Sequence, residues 1–100
     1  MSQVKQIDFR EARRLVDART ETPAEVRQRA FACWVSLFDF TDNGLQIEVP
    51  ARELAESLGV SRVTWIHYRA VLERAGVLKI VTGSRGPHPQ LLQLTPPYIR

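Results

Sequence analysis

A single cysteine among 100 residues excludes an intramolecular disulfide, and Cys33 falls on the apolar side of a predicted helix, where it reads as a small buried side chain. The two histidines, His67 and His88, are far apart in sequence and have no cysteine or carboxylate at ligand spacing, so a zinc site has no support. No run of about 18 apolar residues occurs, which argues against a membrane span. The N-terminal MSQVKQIDFREARR also lacks the apolar core of a signal peptide, so a cytoplasmic, DNA-associated location is expected. Ser61 and Ser84 have no neighbouring motif to activate a hydroxyl, and Gly83-Ser84-Arg85-Gly86 falls far short of a phosphate-binding loop. No enzymatic activity, metal, cofactor or small-molecule ligand is therefore expected. Internal repeats and low-complexity tracts are absent too, and 44% hydrophobic with 25% charged residues is the composition of one ordinary folded domain spanning 1–100.

What is present is concentrated between Ala51 and Leu94. Leu54, Ala55 and Leu58 share one side of a short helix while Arg52, Glu53 and Glu56 face water. Gly59 is placed to take the left-handed conformation that ends that helix, Val60 to fill the angle, and Ser61 to cap the next helix. On that second helix, Trp65, Tyr68, Leu72 and Ala75 form a core stripe. Val63, His67, Ala70 and Arg74 point the opposite way, flanked by Arg62, Thr64 and Ile66, until Gly76 stops the pattern. The period then changes to two: Leu78, Ile80 and Thr82 alternate with Lys79 and Val81. Residues 83–89 break the run, and Leu92 and Leu94 alternate with Gln93 on the return, which predicts a hairpin with a long Gly/Pro-rich tip carrying Arg85. The expected fold is mainly α with a small β-wing, an α+β class.

Charge follows the same division. Residues 1–50 hold seven Lys/Arg against eight Asp/Glu, whereas residues 51–100 hold seven against three. Between Ser61 and Arg85 the cations Arg62, Arg69, Arg74, Lys79 and Arg85 face Glu73 alone, a distribution suited to a phosphate backbone.

From Gln46 to Leu94 the chain resembles a winged helix-turn-helix domain, and VPARELAESLGVSRVTW with LERAGVLKI and GSRG is similar to the DNA-binding halves of GntR-type and related bacterial regulators. The resemblance covers roughly half the chain and implies that Ser61, Arg62, Thr64 and His67 lie at phosphates or base edges, with Arg85 reaching the minor groove or backbone. Three departures accompany it: Arg69 stands where the family places a core leucine, Trp65 replaces a valine, and the tip lacks the full arginine-glycine-threonine pattern. No ligand-binding domain is expected after it.

Before this segment, residues 1–45 read as N-terminal helices. Arg10 to Ala18 is a short amphipathic helix after an irregular arm. Thr22 is expected to cap a second helix running to about Phe40, with Pro23 in its first turn and Glu25 completing a capping box. Val26, Ala30, Cys33, Trp34 and Leu37 give that helix one apolar face. Phe31, Val35 and Phe38 give it a second, which points to a homodimer. Thr41-Asp42-Asn43-Gly44 is turn chemistry, Leu45 to Val49 a strand expected to pair with the wing, and 95–100 a proline-rich tail too short for a dimerisation helix.

The resulting expectation is a dimeric, sequence-specific binder of double-stranded DNA acting in transcriptional regulation. Its DNA-facing residues are Ser61, Arg62, Val63, Thr64, Ile66, His67, Arg74, Lys79 and Arg85. Plasmid or mobile-element replication or partition is a second use of the same physics, and a protein-protein adaptor a reading of another class.

Overall fold

Asp8 opens the first helix by accepting a hydrogen bond from the Glu11 backbone N–H at 2.9 Å. The computed structural model describes residues 6–42, 44–82 and 90–99; the expected wing tip, with Arg85, lies outside them. Helix α1 (Phe9–Arg19) buries Ala12 and Val16. It starts one residue before the predicted Arg10 because Asp8 and Glu11 have capping-box spacing.

Helix α2 (Ala24–Leu37) continues into a single 3-10 turn, Phe38–Phe40. Its expected cap is corrected. Pro23 occupies the cap position with extended backbone, no side chain caps the first turn, and the Thr22 hydroxyl donates to Thr20 Oγ1 instead. Glu25 does not close a capping box but pairs with Arg29 at 2.8 Å, one turn on and in water. Because the helix begins after Pro23 rather than at it, Thr22 is one residue too early to reach the first free N–H groups.

Strand β1 (Gln46–Val49) is one residue shorter than expected at its start. Leu45 adopts a φ of 58°, the left-handed region, after an Asx turn in which Asp42 Oδ1 accepts from the N–H groups of Gly44 and Gln46. Helices α3 (Ala51–Leu58) and α4 (Arg62–Ala75) follow, then β2 (Leu78–Thr82) and β3 (Gln90–Leu94). The sheet is antiparallel with order β1-β3-β2, so β1 pairs with the return strand of the hairpin, as expected. Ile47 and Ile80 flank Leu92, Leu78 faces Leu94, and an irregularity between Ile80 and Thr82 leaves Val81 outside the register.

Among the described residues this is a small α+β fold of four α-helices and a three-stranded antiparallel sheet in a wing-like arrangement. Trp34, Leu37, Leu54, Trp65, Leu72, Ile47, Leu92 and Leu94 fill one core between helices and sheet. No described helix is long and apolar enough to cross a membrane.

Three successive carbonyls at the α4–β2 junction hold these parts together. Ala75 O accepts from Arg19, Gly76 O from the Thr95 hydroxyl at 2.9 Å, and Val77 O from both Trp34 Nε1 at 2.9 Å and the Thr95 N–H at 3.0 Å. The chain ends also meet. Ile7 bridges Tyr98, Asp8 N–H donates to Pro97 O and Ile99 N–H to Gln6 O, so the arm expected to be irregular is half of a short antiparallel pairing.

Gly59 and Gly76 both lie at positive φ, 75° and 86°. A Cβ at Gly59 meets open space, whereas one at Gly76 comes within 3.0 Å of Arg19 Nη1. Gly59→Ala should cost about 1 kcal/mol, the left-handed penalty alone. Gly76→Ala should cost more, because it also displaces the Arg19 contact. Urea unfolding of the two variants beside the parent measures the difference.

Candidate nucleic-acid interface

The turn between α3 and α4 is set by two local devices. Gly59 N–H bonds Glu56 O and Val60 N–H bonds Ala55 O, the paired bonds of a left-handed helix stop. Ser61 Oγ then accepts from the Thr64 N–H at 3.1 Å and donates its own proton to Thr64 Oγ1 at 2.8 Å. The serine proton is thereby committed, and the Thr64 hydroxyl proton has no acceptor among the described residues. The N–H groups of Arg62 and Val63 in the first turn have no acceptor within the helix and carry the positive end of its dipole.

Buried Trp65, Tyr68, Leu72 and Ala75 agree with the predicted core stripe, and Val71 is buried beside them. That addition turns the helix slightly. The exposed arc runs from Val63, His67, Ala70 and Arg74 past half-buried Ile66 to Arg62 and Glu73, with Arg69 half-buried at its far margin. Val63 is 79% exposed, the most exposed large apolar side chain among the described residues. Trp65 Nε1 is buried without a partner among the described residues, a desolvation cost that the packing of the indole must offset.

Cations are distributed unequally. Arg13, Arg14, Arg27, Arg29 and Arg52 each pair with a carboxylate, four of them on α1 and α2 and the fifth on α3. Among the described residues Arg62, Arg69, Arg74 and Lys79 make no ion pair. Glu73, the one acid on α4, turns to the strand and accepts from the Ile80 N–H at 3.4 Å. Arg69 donates to Gln90 Oε1 at 2.6 Å. Burial lowers the pKa of its guanidinium, Glu73 raises it and Arg62 lowers it again.

Beside Ser61 and Thr64 lies an open groove of about 510 Å³, lined also by Arg29, Ala32, Cys33, Val60 and Tyr68. Cys33 is half-buried there rather than fully enclosed, and burial pushes its thiol pKa up.

The structure thus gathers Ser61, Arg62, Val63, Thr64, Ile66, His67 and Arg74 on one helix, with Lys79 exposed on the adjoining strand. The residues expected to pair two subunits are partly occupied within one. Phe9 meets Phe38 edge-on with ring centroids 5.7 Å apart, Phe31 stacks on Trp34 at 5.8 Å, and the Arg13 guanidinium lies over Phe31. Phe31 and Phe38 are accordingly half-buried, while Val35 stays 42% exposed. Residue-pattern reasoning missed Phe9 as their cover and missed the Arg69–Gln90 bond. A large aromatic next to Asp8 is a signal for the first; the second has no local signal.

Comparison with protein-family models, with curated proteins and with solved structures found no match.

Ser61→Ala removes the acceptor for the Thr64 N–H and should lower stability by about 1 kcal/mol. Thr64→Val leaves that acceptor in place and should cost less. Thermal unfolding of both variants tests the assignment of the cap.

Proposed function

We propose that this protein is a winged helix-turn-helix module that binds duplex DNA sequence-specifically, with α4 in the major groove and the β2–β3 ribbon alongside, as a small dimeric regulator of transcription. The supporting observation is the segregation of charge. Five of the seven cations on α1, α2 and α3 pair with nearby carboxylates, Arg10 and Arg19 being the exceptions, while among the described residues none of Arg62, Arg74 and Lys79 around the exposed arc of α4 makes an ion pair. Unpaired cations beside a protruding helix favour a polyanion, because each phosphate they neutralise releases condensed counterions.

Roles follow from position. The Thr64 hydroxyl and the first-turn N–H groups of α4 suit a backbone phosphate, since a helix N-terminus is a ready anion site. Ser61 serves by holding Thr64 rather than by touching phosphate. Val63 stands out from the first turn, where an apolar side chain meets a thymine methyl; Arg62, His67 and Arg74 line the same arc for base edges or flanking backbone. Ile66 supports them from a half-buried position, and Lys79 supplies ribbon charge.

Two-fold pairing follows from the economy of recognition: one short helix reads too few base pairs for a specific site. Val35 and the exposed edge of Phe9, with half-buried Phe38 between them, are the surface for a second copy. The largely exposed Val63 also suits a protein groove, and duplex retention separates the two readings.

Affinity for random duplex should fall steeply with salt, and Lys79→Ala should weaken all sequences and reduce the salt slope by about one. Val63→Ala and His67→Ala should instead lower discrimination between a selected site and random duplex by about 1 to 3 kcal/mol for each true base contact. Folded protein that retains no duplex at low salt would return the α4 face to protein recognition.

Pairing through α2 places the preferred half-sites as an inverted repeat with centres about 10 bp, or a multiple of it, apart. Val35→Glu should give a folded monomer with much weaker site binding. Sedimentation of the parent as a monomer at tens of micromolar, a concentration typical of such runs, overturns the pairing.

A further inference from the structure

Gln90 is the first residue of β3 and is fully buried, on the same strand face as Leu92 and Leu94. Its Oε1 accepts from Arg69 Nη1 at 2.6 Å, across 21 residues of sequence, while its Nε2 is buried with no acceptor among the described residues. Two apolar side chains of similar volume would fill this space without desolvating a guanidinium and without orphaning an amide, so stability does not account for the pair. What a directional bond adds is position. Apolar contacts tolerate sliding, whereas a guanidinium N–H on an amide oxygen admits a narrow range of distance and angle.

Position is what the ribbon lacks at this end. The β2–β3 register is irregular between Ile80 and Thr82, and Leu91 is the last β3 residue paired with β2. Gln90 has only Val49, on the opposite edge, as its strand partner among the described residues. The tip-proximal end of β3 is therefore held in register by β1 but only irregularly by β2, and the Arg69–Gln90 bond adds a direct tie from it to α4.

We infer that Arg69 and Gln90 form a positioning bolt that locks the tip-proximal end of the β2–β3 ribbon to α4, so that helix and ribbon meet the duplex as one rigid surface. The inference rests on the DNA-binding reading for its consequence but not for its mechanics. Arg69 thus acts through Gln90 rather than as a direct contact to DNA.

The test uses the full chain with Arg69→Met, Gln90→Met and the double variant. Gln90→Met changes no charge, so any loss of duplex affinity it causes is not a lost cation. Hydrogen exchange on the free proteins should show faster exchange at Ile80, Thr82 and Leu91 in every variant, with the melting temperature lowered in each single variant, which strands the remaining polar partner, and restored to the parental value or above in the double. Duplex affinity should fall about tenfold in each single variant and no further in the double, the signature of one shared interaction. The salt slope should flatten in Gln90→Met as ribbon contacts are lost.

A loss in Arg69→Met with parental binding by Gln90→Met makes Arg69 a direct phosphate contact and overturns the bolt. Additive losses in the double variant overturn it as well, as does ribbon exchange equal to that of the parent. If the parent itself retains no duplex, the DNA-binding reading fails by itself, and the exchange measurement alone decides the bolt. If Arg69→Met does not fold, Gln90→Met carries the same test.

Discussion

The three carbonyls of Ala75, Gly76 and Val77 are the fixed point of this molecule. A helix that stops at a left-handed glycine exposes its last carbonyls, and leaving them unpaired in the interior would cost of the order of 1 to 3 kcal/mol each. Here they are met from three directions: Arg19 at the end of α1, Trp34 from the middle of α2, and Thr95 just after β3. Helices α1 and α2 and the segment after β3 are thereby referenced to the C-terminal end of α4. The N-terminal end, where the Ser61 cap and Val63 project, is left for the surface.

The same arrangement explains why α4 can carry unpaired charge. Its buried side is satisfied by Trp65, Tyr68, Val71, Leu72 and Ala75, so the exposed arc has no packing duty. Surface ion pairs contribute little, with a median of about 0 to 1 kcal/mol, so leaving Arg62 and Arg74 without carboxylates sacrifices almost no stability. By contrast Arg69 is drawn partly inside, where desolvation acts against it and the nearby Arg62 repels it. A charge held under those conditions needs a structural reason, and its bond to Gln90 supplies one.

Legibility in the sequence followed the range of the interaction. Gly59, Ser61 and Gly76 were readable because a helix stop and a cap involve residues within one turn, and the stripe of Trp65, Tyr68, Leu72 and Ala75 because helical period is local. The paired strands were readable from alternation, except at Leu45, whose left-handed backbone no leucine advertises. Thr22 misled because the pattern threonine, proline, glutamate fits two helix starts one residue apart, and backbone geometry chose the later. The Trp34–Val77, Arg69–Gln90 and Ile7–Tyr98 contacts join residues far apart in sequence, and no spacing rule reaches them. At the candidate interface, the placement of the α4 residues and Lys79 on adjoining elements was legible, but the use of the Ser61 proton on Thr64 was not.

The apolar side of α2 is built around one indole. Trp34 is fully enclosed and serves as a hub: Phe31 stacks on it, and Phe9 and Phe38 meet it edge-on at 5.9 and 5.0 Å. Edge and offset contacts let each ring bury one side against the indole while the other side stays open. Covering all of them would require an additional element, whereas α1 reaches only as far as Phe9 and Arg13. The partial exposure of Phe9 and Val35 is therefore a consequence of the hub geometry. It also leaves apolar surface on α1 and α2, where Arg13, Arg14, Arg27 and Arg29 are paired, so that under the proposed two-fold pairing a contact there would not spend the cations left free on α4.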